Sequence, residues 1–172
     1  MIDRRFPIGE FQYKGPYTAS GREQLMAQLA ALPDHVASVA LHMTEEQLDT
    51  RYRPDGWTAR QAIHHIADSQ MHSYMRFKYA LAEDGATIAP YPEDLWAEQQ
   101  DAVGAPVELS LELLRATIRR WGHLLHCMSE ADFARRYHHP VAGMITLDRE
   151  LAMAAWHGEH HLAQARLVLG DS

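Results

Sequence analysis

The sequence predicts an all-α protein, a four-helix bundle with a short hairpin before its last helix, and three observations carry that expectation. Four long segments repeat apolar residues at helical spacing. Helix start and stop signals bracket several of them. Strand patterns are sparse, and only "RRYHHPVAGMIT" (135–146) reads as a hairpin, with Ala142 and Gly143 near its turn.

The first helix is expected from Ser20, which with Glu23 makes an S-x-x-E capping box. Leu25, Leu29, Leu32, Val36, Val39 and Met43 follow at alternating spacings of four and three. Pro33 falls inside that pattern and predicts a kink or a restart, because proline withholds an N–H from the helical ladder. The second helix opens at Thr58, with Gln61 as capping partner, and runs to about Glu83. The third runs from near Val107 to Met128, with Leu111, Leu114, Ile118, Trp121, Leu125 and Met128 on one stripe. The fourth begins near Thr146 and stops at Gly170. Between the second and third, residues 84–106 form a long connection, stiffened by Pro90 and Pro92, in which 93–101 fits a short helix. That connection is long enough to run along the bundle, so the order of helices stays open.

A chain of 172 residues is expected to form one domain, 1–172, with a substantial core. Its longest apolar runs are too short to span a bilayer, and "MIDRRFPIGEFQYKG" lacks the apolar core of a signal peptide, which predicts a cytoplasmic protein. Asp and Glu number 23 against 16 Lys and Arg, and the resulting charge of −7 argues against nucleic acid as a partner. Cys127 is the only cysteine, so no intrachain disulfide and no all-cysteine metal site can form. Its setting, "LLHCMS", predicts a buried small hydrophobe rather than a reactive thiol.

The 12 histidines are the unusual feature. In "AAWHGEHHLAQ" (154–164), His157 and His161 lie one helical turn apart and share a stripe with Glu150, Ala154, Gln164 and Val168. The adjacent stripe, Leu147, Leu151, Ala155, Gly158, Leu162, Ala165 and Leu169, is apolar. Polar residues therefore flank a core seam at mid-helix. Two imidazoles one turn apart can reach one ion, although an isolated H-x-x-x-H more often marks hydrogen-bonded or exposed histidines. The zincin pattern H-E-x-x-H is absent: Gly158 follows His157, and Glu159 points nearly opposite to it. On the second helix, "GWTARQAIHHIADSQMHSYMRFK" (56–78) places His65, Asp68 and His72 in one arc, while His64 lies about 100° away and can pair with Asp68 instead. Helical spacing leaves the choice within the pairs His64/His65 and His160/His161 open. His72 is expected to be partly exposed, and His123, His126, His138 and His139 to be surface or loop residues.

This combination resembles the DinB/YfiT-like family of metal-dependent enzymes, and within it the YfiT branch associated with bacillithiol S-transferases. The matching stretches are the two just quoted, "PYPEDLWAEQQD" (90–101) and "EEQLDTRYRPDGW" (45–57), which together keep the family's order over nearly the whole chain. The resemblance implies a four-helix bundle of the DinB/YfiT type holding one divalent metal per chain through three histidines, which fall on His65, His157 and His161. It makes His64 and His160 neighbours without a ligand role. Zinc is the favoured ion, with nickel and manganese as alternatives, since imidazole suits several of these metals. It also implies a homodimer.

Three protein ligands would leave positions open for a substrate or water. Two chemistries are then expected: transfer of a low-molecular-weight, bacillithiol-like thiol to an electrophile, toward which the resemblance tips the balance, or hydrolysis by metal-activated water. A non-catalytic metal-binding stress protein is a third reading. The partners implied are a small thiol and its electrophile, with neither nucleic acid nor membrane. No general base is identifiable. Asp68 is the candidate for orienting a ligand histidine from behind. Trp57 and Trp156 are expected as packing residues, and Arg76 and Lys78 as a solvated helix face.

Overall fold

The computed structural model describes residues 3–170. Four long helices, α1 (Ala19–Ala40), α3 (Ala59–Ala82), α6 (Val107–His126) and α8 (Leu147–Arg166), form the bundle. Four short helices lie between them: α2 (Glu45–Leu48), α4 (Glu93–Ala97), α5 (Gln100–Gly104) and α7 (Glu130–Phe133). A small three-stranded sheet completes the fold, with β1 (Ala86–Thr87) parallel to β2 (Arg136–His139), and β2 antiparallel to β3 (Gly143–Thr146). The hairpin is the one read from 135–146. The parallel strand beside it had no sequence signal, since two residues are too few to show a period. Among the described residues, no helix is long and apolar enough to cross a membrane.

Local chemistry sets the helix boundaries. The side chain of Thr58 accepts from the Gln61 backbone and Gln61 reaches back to the Thr58 N–H, closing the expected capping box on α3. Thr146 caps α8 in the expected place. The start of α1 differs: Thr18, not Ser20, is the N-cap, and its hydroxyl accepts from Gly21 N at 3.2 Å. The earlier start follows from Arg22, a buried residue whose guanidinium is held by Tyr17 O and by Asp148 of α8. Pro33 does not interrupt α1, which continues through it to Ala40. The expected helix at 93–101 is two shorter ones, separated at Glu98 and Gln99.

Both α1 and α3 pack against α6 and α8, so the first two long helices lie diagonally across the bundle rather than side by side. The connection 41–58 therefore crosses the bundle, an order the sequence left open. Leu29, Leu32 and Val36 of α1 meet Leu114, Ile118, Trp121 and Leu125 of α6 and Leu147, Leu151 and Leu162 of α8 in one core, with Ile63, Ile66 and Phe77 of α3. The α6 stripe is buried as its spacing predicts, down to Leu125, with Met128 half-buried. Cys127 is exposed, contrary to the expectation of a buried hydrophobe. Two residues beyond buried Leu125, it falls on the opposite face of the helix end.

Candidate metal centre

Two helices supply the site. His65 stands in the second turn of α3, and His157 and His161 stand at mid-length on α8, on the stripe facing α3. One ring nitrogen from each of the three lies within 4.8 Å of the others. The Nε2 atoms of His157 and His161 approach to 3.1 Å. The ring of His65 stands edge-on to His161 at 4.5 Å and tilted to His157 at 5.2 Å, between centroids.

The other members of the histidine pairs are engaged elsewhere. His64 donates from Nε2 to Ala105 O at 3.2 Å and accepts from Ser110 Oγ at 2.7 Å, facing α6. His160 stacks on Trp156 at 4.5 Å and lies against Phe6, facing the N-terminal segment. Glu159 bonds His35 of α1 and has no part in the cluster, as its angle predicts.

The three converging imidazoles are held neutral. Burial pushes the His157 ring down to about 3, with the charge of His65 adding to the effect. Burial, then the charge of His161, pulls His65 well below the ordinary value, and burial, then His157, does the same for His161. Neutral imidazole is the metal-ligating form.

The donor set fits a divalent ion. Ligand nitrogens at about 2.0–2.1 Å from one tetrahedral ion lie about 3.3 Å apart, close to the spacing of the His157–His161 pair. His65, only 5% exposed, has no hydrogen-bond partner for either ring nitrogen among the described residues. A buried imidazole without partners beside two converging Nε2 atoms is an arrangement that a divalent cation would satisfy.

Gln164 is the site residue that sequence reasoning missed. Its Oε1 lies 2.8 Å from His161 Nδ1, which fixes the proton on Nδ1 and leaves the Nε2 lone pair toward the cluster. Its amide nitrogen donates to Arg5 O at 2.9 Å and lies 3.0 Å from His160 Nε2, so the amide itself is clamped. The signal was present, since Gln164 shares the histidine stripe, but glutamine on a polar stripe carries no chemistry by itself.

Asp68 does not take the orienting role expected of it. It lines a separate cavity with His64, Trp96 and Asp101, and makes no hydrogen bond to a histidine among the described residues. Burial, with the charge of Asp101 adding, pushes its carboxyl up to about 6. Its place three residues after His65 turns it toward α4 and α5, away from α8. Arg76 also differs from expectation: it is largely buried and pairs with Glu150 at 3.1 Å rather than lying on a solvated face. Lys78 is exposed as expected. Trp57 is closer to the chemistry than a packing residue, with its ring 4.7 Å from His65 and stacked on His161 at 5.7 Å. Trp156 packs on Phe11 and His160 as expected. His138 and His139 are half-buried residues of β2 rather than loop residues.

Two cavities reach the cluster. One of about 240 Å³ is bounded by His157, α3, the hairpin and Tyr91 of the long connection. Another of about 180 Å³ reaches His161 and Trp57 beside the loop 52–56.

Comparison with known proteins places this arrangement. Residues 24–165 match the DinB superfamily. The chain is 41% identical over 162 residues to a protein of Oceanobacillus iheyensis provisionally named a metal-dependent hydrolase, covering 94% of each chain. A relative from Bacillus mycoides with the same provisional name is 41% identical over 163 residues, or 95% of this chain and 94% of its own. The structure of YfiT from Bacillus subtilis, described provisionally as a metal-dependent hydrolase with an unusual four-helix bundle topology, superposes with a TM-score of 0.94 at 36% identity. That match covers 99% of this chain and 100% of YfiT. TT2238, a four-helix bundle protein, matches with a TM-score of 0.56 at 17% identity over 82% of this chain and 94% of its own, a likeness of fold alone.

Proposed function

This chain belongs to the DinB superfamily, and from that premise we propose that it is a metal-dependent enzyme transferring a small thiol to an electrophilic substrate, with His65, His157 and His161 holding one divalent cation, zinc by preference. The observation that carries the reading is the convergence of three neutral imidazoles from two helices, two of them with Nε2 atoms 3.1 Å apart. When bound, the cation supplies Lewis acidity, because three neutral ligands leave its charge uncompensated and lower the pKa of a thiol or water. The chain's own residues hold and shield the site. Gln164 keeps the His161 proton on Nδ1, and Trp57 covers one side of His65 and His161.

The nucleophile is drawn from solution. Cys127 is exposed at the C-terminal end of α6 and lines neither cavity beside the histidines. Hydrolysis is the second reading, favoured by the provisional names of the relatives. Conjugation of a chromogenic electrophile, assayed with several cellular thiols, tests the choice. Thiol transfer requires both thiol and metal, survives Cys127→Ser and is abolished in His161→Ala. Ester or amide hydrolysis without any thiol would replace it with the second reading.

A further inference from the structure

We propose that the cavity beside His157 receives an oxyanion, a carboxylate or phosphate carried on a short apolar group, and that Arg149 and Tyr91 recognise it. As a substrate pocket this rests on the function proposed above; as a binding site it stands on its own lining. The cavity, at about 240 Å³, is below the roughly 300–1,000 Å³ usual for drug-sized ligands and suits a small one.

Three of its polar lining groups are donors without partners among the described residues. Arg149 is an exposed residue of the lining and forms no ion pair among the described residues. The Tyr91 hydroxyl makes no hydrogen bond there, although its ring is fixed by stacking on His72 at 4.0 Å and 6°. Ser73, 6% exposed, likewise leaves its hydroxyl unpaired. Arg76 uses one N–H on Glu150 at 3.1 Å and retains others.

Of the two carboxylates in the lining, one is already engaged. Glu150 takes the Arg76 guanidinium on one oxygen and the Tyr137 hydroxyl on the other. Glu93, in the first turn of α4, is the one carboxylate of the wall without a partner among the described residues; burial pushes its carboxyl up, and the charge of Arg76 opposes that rise. Ile145 and Met153 add apolar surface. Unpaired donors that outnumber the single unpaired carboxylate match a ligand that brings acceptor oxygens and negative charge, since charge-assisted hydrogen bonds are the strongest these groups can make.

The test is calorimetric titration of the full chain, zinc-loaded and after metal removal, with succinate, with inorganic phosphate and with neutral dimethyl succinate. Circular dichroism confirms the fold in each state. Succinate or phosphate should bind at millimolar or lower concentration, the stronger of the two naming the oxyanion, and the diester should not. Arg149→Gln and Tyr91→Phe should each weaken binding about tenfold or more, the range for a lost hydrogen bond to a charged group. Arg76→Gln is a poorer probe because it strands buried Glu150, so the proposal is judged on the other two. Equal binding of the diester, no anion binding, or affinities unchanged in both variants would overturn it. Arg149-dependent binding by a chain that takes up no metal would leave the pocket standing and remove the metal-dependent function.

Discussion

His157 and His161 aim their Nε2 atoms at each other across 3.1 Å, one helical turn apart on α8, with His65 of α3 closing the third side. A single proton can join this pair as one N–H···N bond, but only a cation can engage both nitrogens and His65 together. Replacing either residue by alanine should therefore lower zinc affinity by more than the roughly 10–100-fold typical of outer-shell losses. Helix content should stay near wild type, because the buried leucine stripe of α8 is untouched. Competition with a chromogenic chelator and far-ultraviolet circular dichroism read the two effects. Wild-type metal stoichiometry in a His65, His157 and His161 triple alanine variant would sink the assignment.

Gln164 should matter nearly as much as a ligand. Its carbonyl oxygen holds the Nδ1 proton of His161, while its amide nitrogen ties the Arg5 carbonyl to α8. Gln164→Met keeps the volume and removes both bonds, so zinc affinity should fall by about 10–100-fold. Gln164→Glu keeps an acceptor for Nδ1–H and should recover much of that loss. Equal affinities for the methionine variant and wild type would mean that packing alone orients His161.

The division between what was readable and what was not follows from the range of each interaction. The capping of α3 by Thr58 and Gln61, the buried stripe of α6 and the His157–His161 spacing are local, and periodicity shows them. The diagonal placement of α1 and α3, the partner of Gln164 and the burial of Arg76 depend on which helices become neighbours. Asp68 shows the limit within a single helix: three residues from His65 puts it on a nearby face, and only the position of α4 and α5 decides where that face points.

Gly158 answers to packing rather than to the metal. A Cβ there would lie 2.3 Å and 3.0 Å from the two terminal carbons of Leu32, itself 1% exposed in the core. Leu32 has little room to retreat, so Gly158→Ala should destabilise the protein by about 1–3 kcal/mol despite alanine's better helix propensity. Denaturant unfolding of the metal-free protein measures it. Unchanged or raised stability would show that α1 and α8 can separate at little cost.

Acid should destabilise the metal-free protein through the same three histidines. In the unfolded chain each titrates near 6.5. In the folded core His157 is pushed down to about 3, and His65 and His161 fall well below the ordinary value, with burial the first cause in each case. Below about pH 6.5 the unfolded state therefore binds protons that the folded state refuses, and stability falls as pH falls. The loss continues down to the folded values and is absent above about pH 7, where both states are neutral. Each such histidine contributes at most about 1.4 kcal/mol per pH unit inside that window. Asp68 opposes the trend, since a folded value raised to about 6 favours the folded state at low pH, a benefit lost as pH rises through 6. Comparing wild type with the triple alanine variant cancels Asp68 and the other histidines. Urea unfolding at several pH values between about 4.5 and 7.5 should give a steeper slope for wild type; parallel slopes would mean that the cluster accepts protons in the folded state.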